Sequence, residues 1–453
     1  MSTEDERATP AAETALSPNG PELPDSAAQS ERVRAIAAHG PVGHLRHCLT
    51  VGIEIRGPVD EDELQARLVR LVARRPALGC VFTDGGKHLL TTGAKPQLLR
   101  RQVEAPSAVA RWAIAHDIAG FEAERPFALG EHPLVRATLL SAEPDRHLLV
   151  VNLDQLVCDA WSANLVVTDL LSADTDETPD AYPAARRALA EWTNGPEGTA
   201  AIDRRREHIA DAWNRWPVRV ENDPADPHEA VERFLAVDDR ITGLLRERVR
   251  TARGSLLAAG ALALATAITD DATVPLALRT TLAGRQSTAE ETVVGWFANE
   301  AVLRLPPRAG TIHEYATALR GEIFAALADQ RVPYPLVSDA LSDGDESGPS
   351  CALVFLPRGL SGGEQAGQRL GDAIATRTAV SICPTGADVD FFMIEDAPPI
   401  EGSPRAMLTV GATTRRAIAD PAAVDDLLDR WIAALDELTR HDWTTYPVTR
   451  IGG

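Results

Sequence analysis

The densest set of polar side chains in an apolar setting lies at residues 148–167, LLVVNLDQLVCDAWSANLVV. An apolar run that reads as a strand ends at Leu153. Asp154, Gln155, Asp159 and Ser162 follow before a second apolar run that reads as a helix. Polar groups at a strand-to-helix turn project from rigid supports into whatever cleft lies beside them. A carboxylate there orients or deprotonates a nucleophile, whereas a glutamine only donates and accepts hydrogen bonds. The competing reading is local: Asp159 or Ser162 caps the helix by accepting its free N–H groups. The pattern alone leaves both open. Elsewhere, His44 and His47 lack the carboxylate pair of a metal site. Cys158, flanked by Leu156 and Val157, reads as a buried structural thiol. RRREH at 204–208 reads as a solvated helix face.

The elements that must hold this turn alternate along the chain. Strands are expected at 48–55, 135–140 and 147–153, the last two joined by a turn at Glu143-Pro144-Asp145. A helix starts at the N-cap Asp60, with Leu64, Leu68 and Leu71 on one face, and another covers 106–118. A third helix is expected over 200–215. In the second half strands are expected at 233–237, 274–278, 302–305, 351–355, 390–394 and 406–409. Helices are expected there at 240–250, 312–329 and 421–439. Residues 254–268, GSLLAAGALALATAI, are apolar on every side, as a central helix would be. The fold class is therefore α/β. Its parts are a disordered leader (1–30), a first lobe (31–175), a linker with a connecting helix (176–232) and a second lobe (233–453).

The chain has 453 residues, and 45 basic against 66 acidic side chains give a formal charge of −21. That balance argues against nucleic acid or an anionic membrane as partner. No apolar run approaches the ~20 residues of a membrane-crossing helix. The start is acidic and carries no signal-peptide pattern. Five cysteines, none at C-x-x-C spacing, fit reduced thiols, and a cytoplasmic protein is expected.

Several segments resemble nonribosomal peptide synthetase condensation domains, of the chloramphenicol-acetyltransferase-like superfamily. PFALGEHPLVRATLL and the following DQLVCDAWS resemble the core whose hallmark is H-H-x-x-x-D-G. VARRPALGCVFTDGG (72–86), TVVGWFANEAVLRL (292–305) and DQRVPYPLVSDAL (329–341) resemble three further family segments in the right order. The resemblance spans roughly 44–450. It implies two acetyltransferase-like lobes in a V, with a central tunnel entered from both faces by phosphopantetheine arms of carrier proteins. It implies no bound cofactor, and a monomer is expected.

Set against the hallmark, Asp154 and Gln155 replace both histidines, Asp159 is kept and Ala160 replaces the glycine. The heterocyclization branch, with D-x-x-x-x-D-x-x-S, matches Asp154, Asp159 and Ser162. By that resemblance Asp154 faces the tunnel and, with Gln155, positions the nucleophile. Asp159 holds the turn by pairing with Arg74, and Ser162 belongs to the same frame. Trp161, Trp296, Asn299, Ser381 and Cys383 line the tunnel, Cys383 being the better reactive-thiol candidate. Gly284-Arg285 is similar to the family's V-A-G-R loop, a stretch of tunnel floor. The second-lobe heterocyclization residues match less well. Leu356 and Pro357 stand in place of a threonine, and Asp390, or Asp388 after a one-residue slip, stands for an aspartate. The remaining residues leave no room for an adenylation, carrier or thioesterase unit, so a freestanding acyltransferase is expected, with or without ring closure. The alternative is a non-catalytic platform that recruits a tailoring enzyme to a carrier-bound intermediate.

Overall fold

The structure is a computed structural model describing residues 20–39, 48–91, 94–213, 230–341, 351–358, 367–380, 385, 387–397, 406–415 and 418–452. The first half holds β1 (Glu22–Leu23), α1 (Ala27–His39), β2 (Cys48–Arg56), α2 (Glu61–Arg74), β3 (Val81–Phe82), β4 (His88–Leu89), β5 (Leu98–Gln102), α3 (Ala108–Glu124), β6 (Val135–Glu143), β7 (Arg146–Asp154), α4 (Ala160–Leu171), α5 (Tyr182–Asn194) and α6 (Pro196–Ile209). The second holds β8 (Ala230–Ala236), α7 (Asp239–Thr251), α8 (Leu256–Ile268), β9 (Leu276–Leu282), α9 (Thr288–Glu291), β10 (Asn299–Leu305), α10 (Ile312–Ala328), α11 (Tyr334–Leu341), β11 (Cys351–Leu356), β12 (Gln368–Leu370), β13 (Ala373–Val380), β14 (Val389–Glu395), β15 (Leu408–Arg415) and α12 (Pro421–Arg440).

Two six-stranded mixed sheets carry the lobes, in the orders β12-β13-β2-β7-β6-β5 and β10-β9-β11-β14-β15-β8. β7 runs through the first sheet as an almost unbroken apolar strand because both of its faces are covered. Leu149, Val151 and Leu153 enter the core under α2 and α4, while Leu148 and Val150 meet α3. Its register with β2 sets Cys48 opposite Asp154, so the strand delivers Asp154 at the sheet's end. The second core forms around α8, whose Ala-rich surface lets neighbours close in on every side. Trp431 of α12 donates its indole N–H to the Gly260 carbonyl at 3.1 Å.

Three expectations are corrected. The leader does not lack structure throughout 1–30: Glu22–Leu23 pairs with β4 and α1 begins at Ala27. Residues 1–19 lie outside the described residues. The linker contains two helices, one docked on each side. α5 packs through Tyr182 into the first core, and the Arg205 guanidinium of α6 donates to the Val302 carbonyl of β10 at 2.6 Å. Finally, β12 and β13 leave the second lobe and complete the first sheet through β13–β2 pairing. That crossover ties the lobes together by backbone hydrogen bonds.

A second tie is the loop after β9. Gly284 has φ +68°, and a Cβ there would lie 1.8 Å from the Phe297 carbonyl oxygen. The chain can therefore present the next residue, Arg285, only if position 284 is glycine. Gly284→Ala combines left-handed strain with a backbone clash. It is expected to cost more than ~1–2 kcal/mol, read as a lower urea midpoint at unchanged slope.

Candidate functional site

β7 ends at Asp154, a tight turn follows, and α4 starts at Ala160. Asp159 does cap α4: its Oδ1 accepts from the Ser162 N–H at 2.8 Å. It also does much more. Arg285 of the second lobe donates to Asp159 Oδ2 at 2.8 Å and to Oδ1 at 3.2 Å, and the N–H groups of Phe297 and Ala298 donate to Oδ2 at 2.9 Å each. Ser162 extends the frame. Its Oγ donates to the Gly295 carbonyl at 2.8 Å and accepts from Arg285 at 2.8 Å and from the Gly295 N–H at 3.0 Å. Burial alone would raise the Asp159 carboxyl, but Arg285 and these donors hold it below the usual carboxylate range. The cap and the site are one object.

Arg74 is not the partner of Asp159. It lies at the outer end of α2 and bonds Asp174 at 2.9 Å. Its neighbour Arg75 turns inward to Asp169 at 2.6 Å, Asp180 at 3.0 Å and the Thr292 carbonyl at 2.8 Å. Arg74 is the last residue of α2 and Arg75 its non-helical C-cap, at φ −115° and ψ 83°, so the chain leaves the helix between them and the two side chains diverge.

Asp154 does not face an open channel. It is 1% exposed, and Arg32 of α1 donates to both of its oxygens, at 3.1 and 3.2 Å. The Leu156 N–H donates to Oδ1 at 2.7 Å. Burial pushes this carboxyl up against the pull of Arg32. Gln155 is half-buried, and its Oε1 accepts from Arg32 at 3.3 Å. Gln29 of α1 donates to the Leu156 carbonyl at 2.6 Å, so α1 grips the turn at two points. Composition hid this helix: its run of Ala, Ser and Glu carries only Val33 and Ile36 into the core.

The other expected residues divide by lobe. Trp161 donates its indole N–H to the Glu291 carbonyl at 2.9 Å, and its ring lies 5.8 Å from the Arg285 guanidinium. Trp296 packs half-buried on the first core. The Asn299 side chain is committed to the α10–α11 loop: it donates to the Gln330 carbonyl at 3.1 Å and to that of Val332, and accepts from the Tyr334 N–H at 3.3 Å. Ser381 and Cys383, like His44 and His47, lie outside the described residues. Asp388 offers its carbonyl to Thr414 Oγ1 at 2.7 Å. Among the described residues no group of three or more His, Cys, Asp or Glu side chains is arranged to hold a metal.

Asp390 sits in a separate polar layer on β14. Its Oδ1 accepts from Thr385 N–H at 3.0 Å and Oγ1 at 2.6 Å. Arg279, in line with it across β11, is paired with Glu300 and donates to the Thr385 carbonyl at 2.9 Å. Burial raises the Glu300 carboxyl against the pull of Arg279, and the charge of Glu31 on α1 adds a lesser push. Burial pushes Asp390 up to about 7 against its two Thr385 bonds.

No protein-family model matches the chain. It is 25% identical over 384 residues to nonribosomal peptide synthetase kk1B of Curvularia clavata, covering 80% of this chain and 3% of that protein. It is 26% identical over 379 residues to a linear gramicidin synthase of Brevibacillus parabrevis, covering 77% and 7%. Thus the chain spans a small part of the length of these relatives. A starter condensation domain of rhizomide synthetase superposes with TM-score 0.74 over 95% of this chain and 97% of that one, at 17% identity. In sequence the chain is similar to segments of nonribosomal peptide synthetases, and in fold to their condensation domains. A further structural neighbour is the X-domain in complex with OxyB from teicoplanin biosynthesis, with TM-score 0.74, 18% identity and 98% of both chains covered. The fold is that of condensation domains throughout.

Two outcomes test the electrostatics. Arg32→Met leaves Asp154 buried without its cation and is expected to cost about 3–5 kcal/mol by denaturant unfolding. Most of that loss should return in Arg32→Met/Asp154→Leu. For Asp390 the folded state holds the proton more tightly than the unfolded chain. Wild-type stability should therefore fall as pH rises between about 4 and 7 and level off above. Asp390→Asn should flatten that slope, read as urea midpoints across the same range.

Proposed function

We propose that this chain is a condensation-type acyltransferase. It takes an acyl or aminoacyl group from the phosphopantetheine arm of one carrier protein to a nucleophile held in the same site, in nonribosomal peptide or related natural-product assembly. It does so as a cytoplasmic monomer acting in trans. The observation that supports the reading is the turn's place: Asp159 and Ser162 receive hydrogen bonds from both lobes, and Gln155 belongs to the same turn. The turn's own residues, 154–160, include no histidine. Gln155 orients the attacking amine, thiol or hydroxyl by hydrogen bonds, and the rate comes from holding the two thioesters together rather than from a strong base.

Ring closure of a Cys, Ser or Thr acceptor is the finer part of the proposal. The side-chain heteroatom adds to the new amide carbonyl, and as the C=N bond forms the carbonyl oxygen leaves as water, taking the protons of the side chain and of the amide nitrogen. A carboxyl poised near neutrality, as burial makes Asp390, suits that work.

A second reading has its own support. Asp154 is locked by Arg32, Gln155 takes up no proton, and the X-domain neighbour is in complex with a second protein, OxyB. A platform for a tailoring enzyme would share these features. The deciding experiment incubates an acyl-carrier donor with an aminoacyl-carrier acceptor and follows product by intact mass. The acyltransferase reading expects transfer by the wild type and about 100-fold lower kcat for Gln155→Ala, with KM little changed. Absence of transfer, together with a stable complex with a loaded carrier or an oxidase, would replace it by the platform.

A further inference from the structure

Among the described residues Arg186, Arg205 and Arg308 are buried on backbone carbonyls alone, and Arg377 leaves the most of its guanidinium unpartnered. Arg377 lies on the crossover strand β13, opposite Ile53 of β2, and its side chain enters the covered face of the first sheet. It is 6% exposed. Its Nη1 donates to the side-chain oxygen of Asn164, which stands in the second turn of α4. Nε and Nη2 are buried and have no hydrogen-bond partner. These two nitrogens form one edge of the guanidinium, the edge whose parallel N–H pair matches the two oxygens of a carboxylate. Arg32 and Arg186 each leave one buried nitrogen unpartnered, but Arg377 leaves a complete two-donor edge.

An unpaired buried guanidinium is costly, and desolvation pushes its pKa down to about 10 even with the Cys158 sulfur close enough to favour the charge. Packing does not account for it, because an apolar side chain would cover Ile53 at lower cost. Its position does. Cys158 belongs to the turn, and Trp161, Asn164 and Leu165 form the half-buried stripe of α4 that leads away from it. The Asn164 bond holds the unpartnered edge in one orientation, covered by the protein around it.

We propose that Arg377, oriented by Asn164, is a specificity residue that binds a carboxylate on the substrate presented at the turn. The inference rests on the turn being the substrate site. The carboxylate belongs either to the far end of a dicarboxylate-derived acyl group or to a free amino-acid acceptor, and binding measurements separate the two without any turnover. Succinyl and butyryl thioesters of N-acetylcysteamine are titrated into the full chain by calorimetry, and alanine is compared with alaninamide. In one of the two pairs the carboxylate-bearing probe should bind about tenfold tighter or better, as a charge-assisted bidentate contact gives. Arg377→Met should erase that preference without lowering the melting temperature, since it removes an unpaired charge. Arg377→Lys keeps the charge but not the fork and should retain only part of it. Asn164→Asp, which offers the arginine an internal carboxylate, should also suppress it. A preference under about twofold in both pairs, or one that Arg377→Met and Asn164→Asp leave intact, overturns the proposal. Because no carrier protein or product is involved, failure of the acyl-transfer assay does not imply failure here.

Discussion

The structure depends on one buried ion pair, Asp159 with Arg285, whose side chains are 3% and 2% exposed. A carboxylate and a guanidinium out of water would each be expensive alone. Here the carboxylate also takes the N–H groups of Ser162, Phe297 and Ala298, and the guanidinium also reaches Ser162 Oγ, so the charges are compensated in detail. The consequence is geometric. The strand-to-helix turn of the first lobe cannot shift without breaking bonds to the second, and the second cannot swing without pulling Arg285. Gly284, at φ +68°, and the crossover strand β13 serve the same end.

Around that fixed point the structure makes an unusual choice. The strand-end carboxylate, Asp154, is withdrawn from chemistry and pinned by Arg32, so α1 becomes part of the turn's support. What remains half-buried at the turn is an amide, Gln155. An amide can hold a nucleophile in place but cannot carry its proton, and any proton traffic has to be served elsewhere. On the other lobe burial raises a second carboxyl, that of Asp390, to about 7.

Much of this was legible in the sequence. The apolar run of β7, the all-apolar α8 and the capping signal of Asp60, which accepts from Asp62 and Glu63, are local patterns, and local physics fixes them. The turn itself was legible because polar residues interrupt apolar ones at an abrupt boundary. What was hidden is long-range. Nothing near Asp159 announces a partner 126 residues away, and the family resemblance points to Arg74 of the first helix instead. α1 was hidden because few of its residues are large and apolar; it is held by Arg32 and Gln29 bonds to a distant turn. β12 and β13 were hidden because strand length and composition do not say which sheet a strand joins.

Asp159 and Arg285 act as a single unit joining the lobes, and a double-mutant cycle of urea unfolding measures their coupling. Asp159→Asn, Arg285→Met and the double variant are compared with the wild type. Strong coupling is expected, about 2 kcal/mol or more, with the double variant losing far less than the sum of the single ones. Additivity within about 0.5 kcal/mol would contradict it.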